Sequence, residues 1–192
     1  MRPTKADLEA ARDRVLGDVL PASRVLFCGI NPGLYSAATG HHFARPGNRF
    51  WPALHRSGFT DRLLDPSEQD LLPSVGLGIT NIVPRTTARA DELTAGELKE
   101  GGERLRGLVE RQRPAYLAVA GVTAYRTAFG RPRAQIGPQD DTIGPSRIWV
   151  LPNPSGLNAS WQLDRLAAEF ARLRTAADAL TGPSQPARER TT

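Results

Sequence analysis

Cysteine is nearly absent. Cys28 is the single cysteine in 192 residues, which excludes an internal disulfide, a cysteine-caged zinc and a four-cysteine iron–sulfur cluster. A reducing, intracellular compartment is the default expectation. Lysine is almost as scarce: of the 25 Lys and Arg residues only Lys5 and Lys99 are lysines, and the remaining 23 are arginines. Long apolar runs are missing too. The stretch Val25 to Ala44 carries no Lys, Arg, Asp or Glu, but it contains Asn31-Pro32-Gly33, Gly40, His41 and His42, so it is unfit to span a bilayer as a helix. The opening MRPTKADLEAARDRV is charged where a signal peptide needs an apolar core. A soluble, cytoplasmic protein with no membrane partner is expected.

What is present reads as globular. Hydrophobic residues make up 40% and charged residues 23% of the chain, which places it among folded rather than disordered proteins. The 18 Gly and 16 Pro fall mostly between apolar runs, where turns belong. The length suits one domain, expected over residues 1–180. The last segment, TGPSQPARERTT, lacks apolar anchors and reads as a disordered tail over 181–192. The formal charge of +5, dominated by arginine, suits phosphate, since a guanidinium contacts it bidentately. On charge alone, nucleic-acid binding and an arginine-rich solvated surface weigh equally.

The apolar spacing predicts a helix over Leu8–Leu20. RVLFCGI, residues 24–30, reads as a buried strand stopped by Asn31-Pro32-Gly33. A helix follows over Asn48–Gly58, with Asn48 as N-cap and Gly58 as its stop, then a short helix over Pro66–Leu72. Val75–Val83 is a second strand. Thr94 and Glu97 have capping-box spacing and open a helix to about Arg111. Pro114–Gly121 is a third strand, Val122–Phe129 a helix, Arg147–Leu151 a fourth strand, and Pro152–Asn158 a loop. Ser160 is expected to cap a long helix reaching Leu180. Apolar strands alternating with helices predict a four-stranded parallel sheet covered on both faces. Ligands of such sheets bind beyond the carboxyl ends of the strands, which is where Gly29–Gly33 and Asn153–Asn158 fall. His41 and His42 are adjacent and point apart in extended chain, so with Cys28 and His55 they form no convergent ligand set. No metal is expected.

Each loop alone is ordinary turn chemistry. Together, Gly29-Ile30-Asn31-Pro32-Gly33 and Asn153-Pro154-Ser155-Gly156-Leu157-Asn158 resemble the two motifs of the uracil-DNA glycosylase superfamily. Within it the chain is similar to the mismatch-specific uracil/thymine DNA glycosylases. The resemblance extends through FCGINPGLYSAATGHHFARPGNRFW, GITNIVPRT and IWVLPNPSGLN, over about residues 20 to 175. It implies a three-layer α/β/α sandwich around a four-stranded parallel sheet, no cofactor, and a monomer acting on double-stranded DNA with a mismatched or damaged pyrimidine, associated with the nucleoid.

The implied chemistry is hydrolysis of the bond between base and deoxyribose, on a nucleotide swung out of the stack. By the resemblance Asn31 positions the attacking water. An amide accepts no proton as a carboxylate does, so its role is orientation and turnover is expected to be modest. Gly33 stands where the strictly uracil-specific branch carries a Tyr, which leaves room for thymine or etheno-cytosine. Phe43 corresponds to the aromatic that stacks on the flipped base, and main-chain groups near Ile30 and Phe43 face its edge. Ser36 lines the pocket or caps a turn. Asn153 stands where faster relatives carry a His that stabilises the departing anion. Leu157 corresponds to the wedge that enters the stack, with main-chain groups of Gly156 and Asn158 reading the orphaned guanine.

Two positions depart from the pattern. Ala159 falls where relatives carry an Arg supporting the wedge, and Asn81 replaces a Lys of some relatives. Asn81 is either a pocket hydrogen-bonding group or a satisfied strand-end amide. Asp91 is either a carboxylate that polarises water or a solvated cap before the Thr94 helix. Three rival functions remain at this level: a lesion-binding protein with little turnover, a glycosylase shifted to single-stranded uracil or deaminated purines, and a nucleotide enzyme with a phosphate loop. No Walker Lys-Ser/Thr pair follows the first strand to favour the last.

Overall fold

The computed structural model describes residues 2–182; of the expected tail, residues 183–192 lie outside the described residues. Five strands form one sheet: β1 (Val25–Gly29), β2 (Leu77–Asn81), β3 (Tyr116–Ala120), β4 (Gly137–Ile143) and β5 (Ser146–Leu151), in the order β2-β1-β3-β5-β4. The four strands read from sequence are all parallel. The fifth corrects the expected count. β4 pairs antiparallel with β5 at the sheet edge, joined by a tight turn at Gly144-Pro145. Its sequence, GPQDDTI, is buried only at its ends, so it lacks the apolar signature of its neighbours.

Residues alternate across the sheet with the pleat. Val25, Phe27, Ile79, Ala118 and Trp149 face one core, built with α3 (Phe50–Arg56) and α6 (Leu163–Thr181). Leu26, Cys28, Leu117, Val119 and Val150 face the other, built with α4 (Ala95–Gln112) and α5 (Val122–Phe129). This is the three-layer sandwich. Thr94 caps α4 through the expected box with Glu97, and a 3-10 helix occupies Pro66–Val75. A short helix α2 (Leu34–Thr39), not foreseen, follows the first loop.

Three further expectations are corrected. Instead of a helix over Leu8–Leu20, α1 spans Lys5–Ala10 and the chain then extends. Val19 exchanges both backbone hydrogen bonds with Ile79, at 2.8 and 3.0 Å. Gly17 and Pro21 weaken a helical ladder there, and β2, the outermost parallel strand, has edge groups that need partners. Helix α6 starts later than Ser160. Its N-cap is Gln162, because the carbonyl of Trp161 is turned to the Arg49 guanidinium instead of into a helical turn. Thr181, assigned to the tail, is the last residue of α6. No described helix is long and apolar enough to cross a membrane.

The carboxyl ends of β1, β2, β3 and β5 share one rim of the sheet. The chain passes from β1 to β2 on one side, while β3 joins β1 on the other. Loops leaving such neighbours diverge and open a crevice between them.

Candidate active site

A cleft of about 150 Å3 lies in that crevice, lined by residues 29–33 after β1, Asn81 at the end of β2, Ala120 of β3 and Asn153-Pro154 after β5. A cavity of this volume takes up a six-membered aromatic ring. Ser36, Phe43, Arg45, Asn48 and the segment Thr87–Ala90 complete its wall. Ile30, Asn31, Gly33, Ser36, Phe43, Asn81 and Asn153 are therefore gathered in one place from three distant parts of the chain.

The polarity of three amides follows from their partners. Asn31 Nδ2 donates to the Arg85 carbonyl at 3.0 Å and to Thr87 Oγ1 at 2.7 Å. Thr87 Oγ1 itself donates to the Arg89 carbonyl at 2.7 Å, so toward Asn31 it accepts. Both N–H donors of Asn31 are thus used within the protein, and Oδ1 is left to the cleft as an acceptor. Asn81 is fixed through a histidine. His42 Nε2 donates to the Gly17 carbonyl at 2.8 Å, so Nδ1 accepts from Asn81 Nδ2 at 3.3 Å. The Asn81 Oδ1 then lies over the floor, 2.5 Å from where a side chain on Gly29 would begin. Arg104 donates to the Asn81 carbonyl from behind. Asn153 has the opposite sense: its Oδ1 accepts from the Ser155 amide at 3.0 Å, which leaves Nδ2 to donate.

Phe43 adopts a left-handed backbone, φ 53°, a conformation uncommon outside glycine that is stabilised here by packing. Its ring stacks on Phe50 at 4.1 Å between centroids and lines the cleft. Phe50 in turn packs edge-on to Phe27. Gly33 has open space where a side chain would stand. Ser36 is buried, and its Oγ accepts from the Ala44 amide at 3.2 Å. It ties down the turn before Phe43 as well as lining the cleft.

Burial lowers the pKa of the His42 imidazole below its ordinary 6.5, in keeping with the neutral tautomer its bonds require. The unfolded chain therefore binds a proton there before the folded one does. Stability linked to His42 is complete above about pH 6.5 and falls as pH drops toward the folded value. The urea midpoint is expected to decline as pH falls below about 6.5, and to decline less in His42→Gln, whose amide can still donate to Gly17. Equal declines in the two proteins would show that His42 is not the titrating group.

Asp91 is not brought to the cleft. It sits in a 3-10 turn over Ala90–Glu92, exposed, and forms a bidentate pair with Arg89 at 2.9 and 2.8 Å. That guanidinium holds the carboxyl below the usual carboxylate range, which makes it a weak base. Arg89, at the rim, does line the cleft. Leu157 is 78% exposed on its loop. Ser155, Gly156 and Leu157 border a second hollow, shared with Arg45–Arg49. Arg45 and Asn48 line both hollows, so the cleft and the Leu157 loop adjoin. Among the described residues no group of His, Cys, Asp or Glu is arranged to hold a metal.

Sequence reading passed over Thr87, the structural role of His42, and Arg49. Thr87 had a usable signal: parallel pairing of β1 with β2 puts the segment after β2 beside Asn31, and Gly33 and Thr87 are bridged. The cleft can hold a planar ring, accept hydrogen bonds at its floor and at Asn31, and donate one from Asn153. The family model of the uracil DNA glycosylase superfamily matches residues 16–177, a span that holds every residue of the cleft wall, and the chain belongs to that superfamily of DNA glycosylases, hydrolases that act on damaged bases.

Proposed function

We propose that the chain hydrolyses the glycosidic bond of uracil, and of thymine or etheno-cytosine, mispaired with guanine in duplex DNA. The observation that carries this reading is the sense of the three amides around one ring-sized cleft. A pyrimidine lies against Phe43, where stacking contributes on the order of 1–3 kcal/mol. Its ring N–H points to the Asn81 acceptor. As the bond to C1′ lengthens, its electron pair passes to the base, and the Asn153 donor stabilises the anion. Asn31 Oδ1 accepts a hydrogen bond from a water and aims its oxygen at C1′. Carbon and water oxygen bond, and the water's proton is released to solvent. Open space at Gly33 supports tolerance of a substituent on the ring. A flipped base leaves a gap in the duplex, which Leu157, exposed at the edge of the cleft, fills.

An oligonucleotide panel tests this: U:G, U:A, T:G, hypoxanthine, etheno-cytosine and single-stranded U, each scored for abasic product. Release from U:G is expected to exceed that from U:A, with measurable release from T:G and etheno-cytosine. Equal release from U:A and U:G removes the mismatch preference. Tight binding with no product from any substrate replaces the glycosylase with a lesion-binding protein.

A further inference from the structure

The loop between β5 and α6 has an unusual tether. Irregular backbone leaves carbonyls without ladder partners, and here they converge on one side chain. Arg49 Nη1 donates to the carbonyls of Ser155 at 3.1 Å, Asn158 at 2.9 Å and Trp161 at 3.2 Å. Its Nη2 donates to the carbonyl of Gly156 at 3.2 Å and to Gln162 Oε1 at 3.1 Å. The main-chain amide of Arg49 adds a bond to the Pro154 carbonyl at 2.8 Å. One residue therefore holds the loop at its entry, at its exit, and on both sides of Leu157, whose own side chain remains free.

Packing adds to these bonds. A side chain on Gly156 would begin 2.5 Å from the Gly47 carbonyl, so the loop is seated against residues 45–49 at backbone distance. Arg49 also immediately precedes α3, whose Phe50, Trp51 and Leu54 are buried in the core. A tether rooted in a packed helix passes that helix's rigidity to the loop.

We propose that Arg49 is a positioning residue that shapes the Leu157 loop for duplex entry before DNA arrives. This rests on the glycosylase reading above and adds a residue to it. A loop ordered in advance spares the complex the entropy of ordering it on binding. The guanidinium is suited to this because its planar fork reaches several carbonyls at once, whereas an ammonium is a single point of attachment. The substrate that benefits is the duplex. A single strand has no stack to enter and depends on the cleft alone.

The test uses Arg49→Lys and Arg49→Met in the full chain, with thermal melting to show that each is folded. Single-turnover base release is measured from a U:G duplex and from single-stranded uracil. Release from the duplex is expected to fall on the order of 10²-fold, the scale of a misplacement of about 1 Å, with the single-strand rate unchanged. Leu157→Ala is expected to slow the duplex reaction by a similar factor. Since Arg49 acts through Leu157, Arg49→Met added to Leu157→Ala slows the duplex reaction no further. Hydrogen exchange supplies a readout apart from activity: amides 156–158 are expected to exchange faster in Arg49→Lys while those of α3 and α6 do not. Equal slowing on both substrates, additive losses in the double variant, or unchanged loop exchange each overturns the proposal. Should the wild-type protein release no base from either substrate, the glycosylase reading fails, and the exchange measurement still decides whether Arg49 holds the loop.

Discussion

Asn31→Ala is expected to reduce base release from a U:G duplex by about 10²–10³-fold, while the variant still retards that duplex in a gel. The magnitude is that of removing one preorganised polar group aimed at a reacting centre. The distinction between binding and chemistry is what gives the experiment its force. Leu157, Phe43 and the arginines around the rim are untouched by the substitution, so DNA is still entered and held. What is lost is the acceptor at Oδ1, and with it the orientation of the water. Of the amide's partners, Thr87 is buried but lines the cleft and keeps its own bond to the Arg89 carbonyl, and the Arg85 carbonyl lies in a partly exposed segment, so water can replace the lost donors and the fold is expected to tolerate the change. Release at the wild-type rate would remove Asn31 from the reaction. Loss of binding together with release would mean that Asn31 holds the loop and not the water.

Legibility in the sequence divided along a physical line. The four parallel strands were readable because strands buried on both faces must be apolar throughout, as VLFCG and YLAVA are. The site's place followed from them, since ligands of such sheets bind in the crevice beyond the carboxyl ends of the strands. β4 was not readable, because an edge strand has little to bury. Neither was the stretch from Val15 to Val19: its apolar residues are spaced for a helix, and only the open edge of β2 draws it into extended pairing. At the site, Asn31, Asn81 and Asn153 could be named but not oriented. An amide's sense is set by partners distant in sequence, and those of Asn31 lie more than fifty residues away. Asp91 is the converse case. Proximity in sequence to the rim suggested the cleft, but a neighbouring Arg89 satisfies the carboxylate locally. Arg49 left no local trace, because all but one of its guanidinium's acceptors are main-chain carbonyls that any sequence supplies.

Phe27→Ala is expected to be the most damaging single change to stability, at about 3–5 kcal/mol, or a fall in Tm of roughly 6–20 °C for a chain of this length. Phe27 is fully buried in the middle of β1. Its ring meets Phe50 and Phe59 edge-on, each at 5.4 Å, and stacks with Phe170 at 5.7 Å. It therefore joins β1 to α3 and α6 at once, and neither helix can collapse into the vacated volume without leaving the other. The loss reaches the site by a short path. Phe50 loses its edge contact, and Phe50 is the surface on which Phe43 stacks. Phe43 keeps a left-handed backbone only because its packing over-determines it, so a looser Phe50 frees the ring that holds the base. Under conditions where the variant is folded, KM for single-stranded uracil is expected to rise with kcat less affected, since Asn31 and Asn153 belong to loops that do not pack on Phe27. A melting temperature within about 2 °C of wild type would mean that the aromatic cluster does not unite the layers. A large fall in Tm with unchanged KM would sever the link between this core and the base-stacking surface.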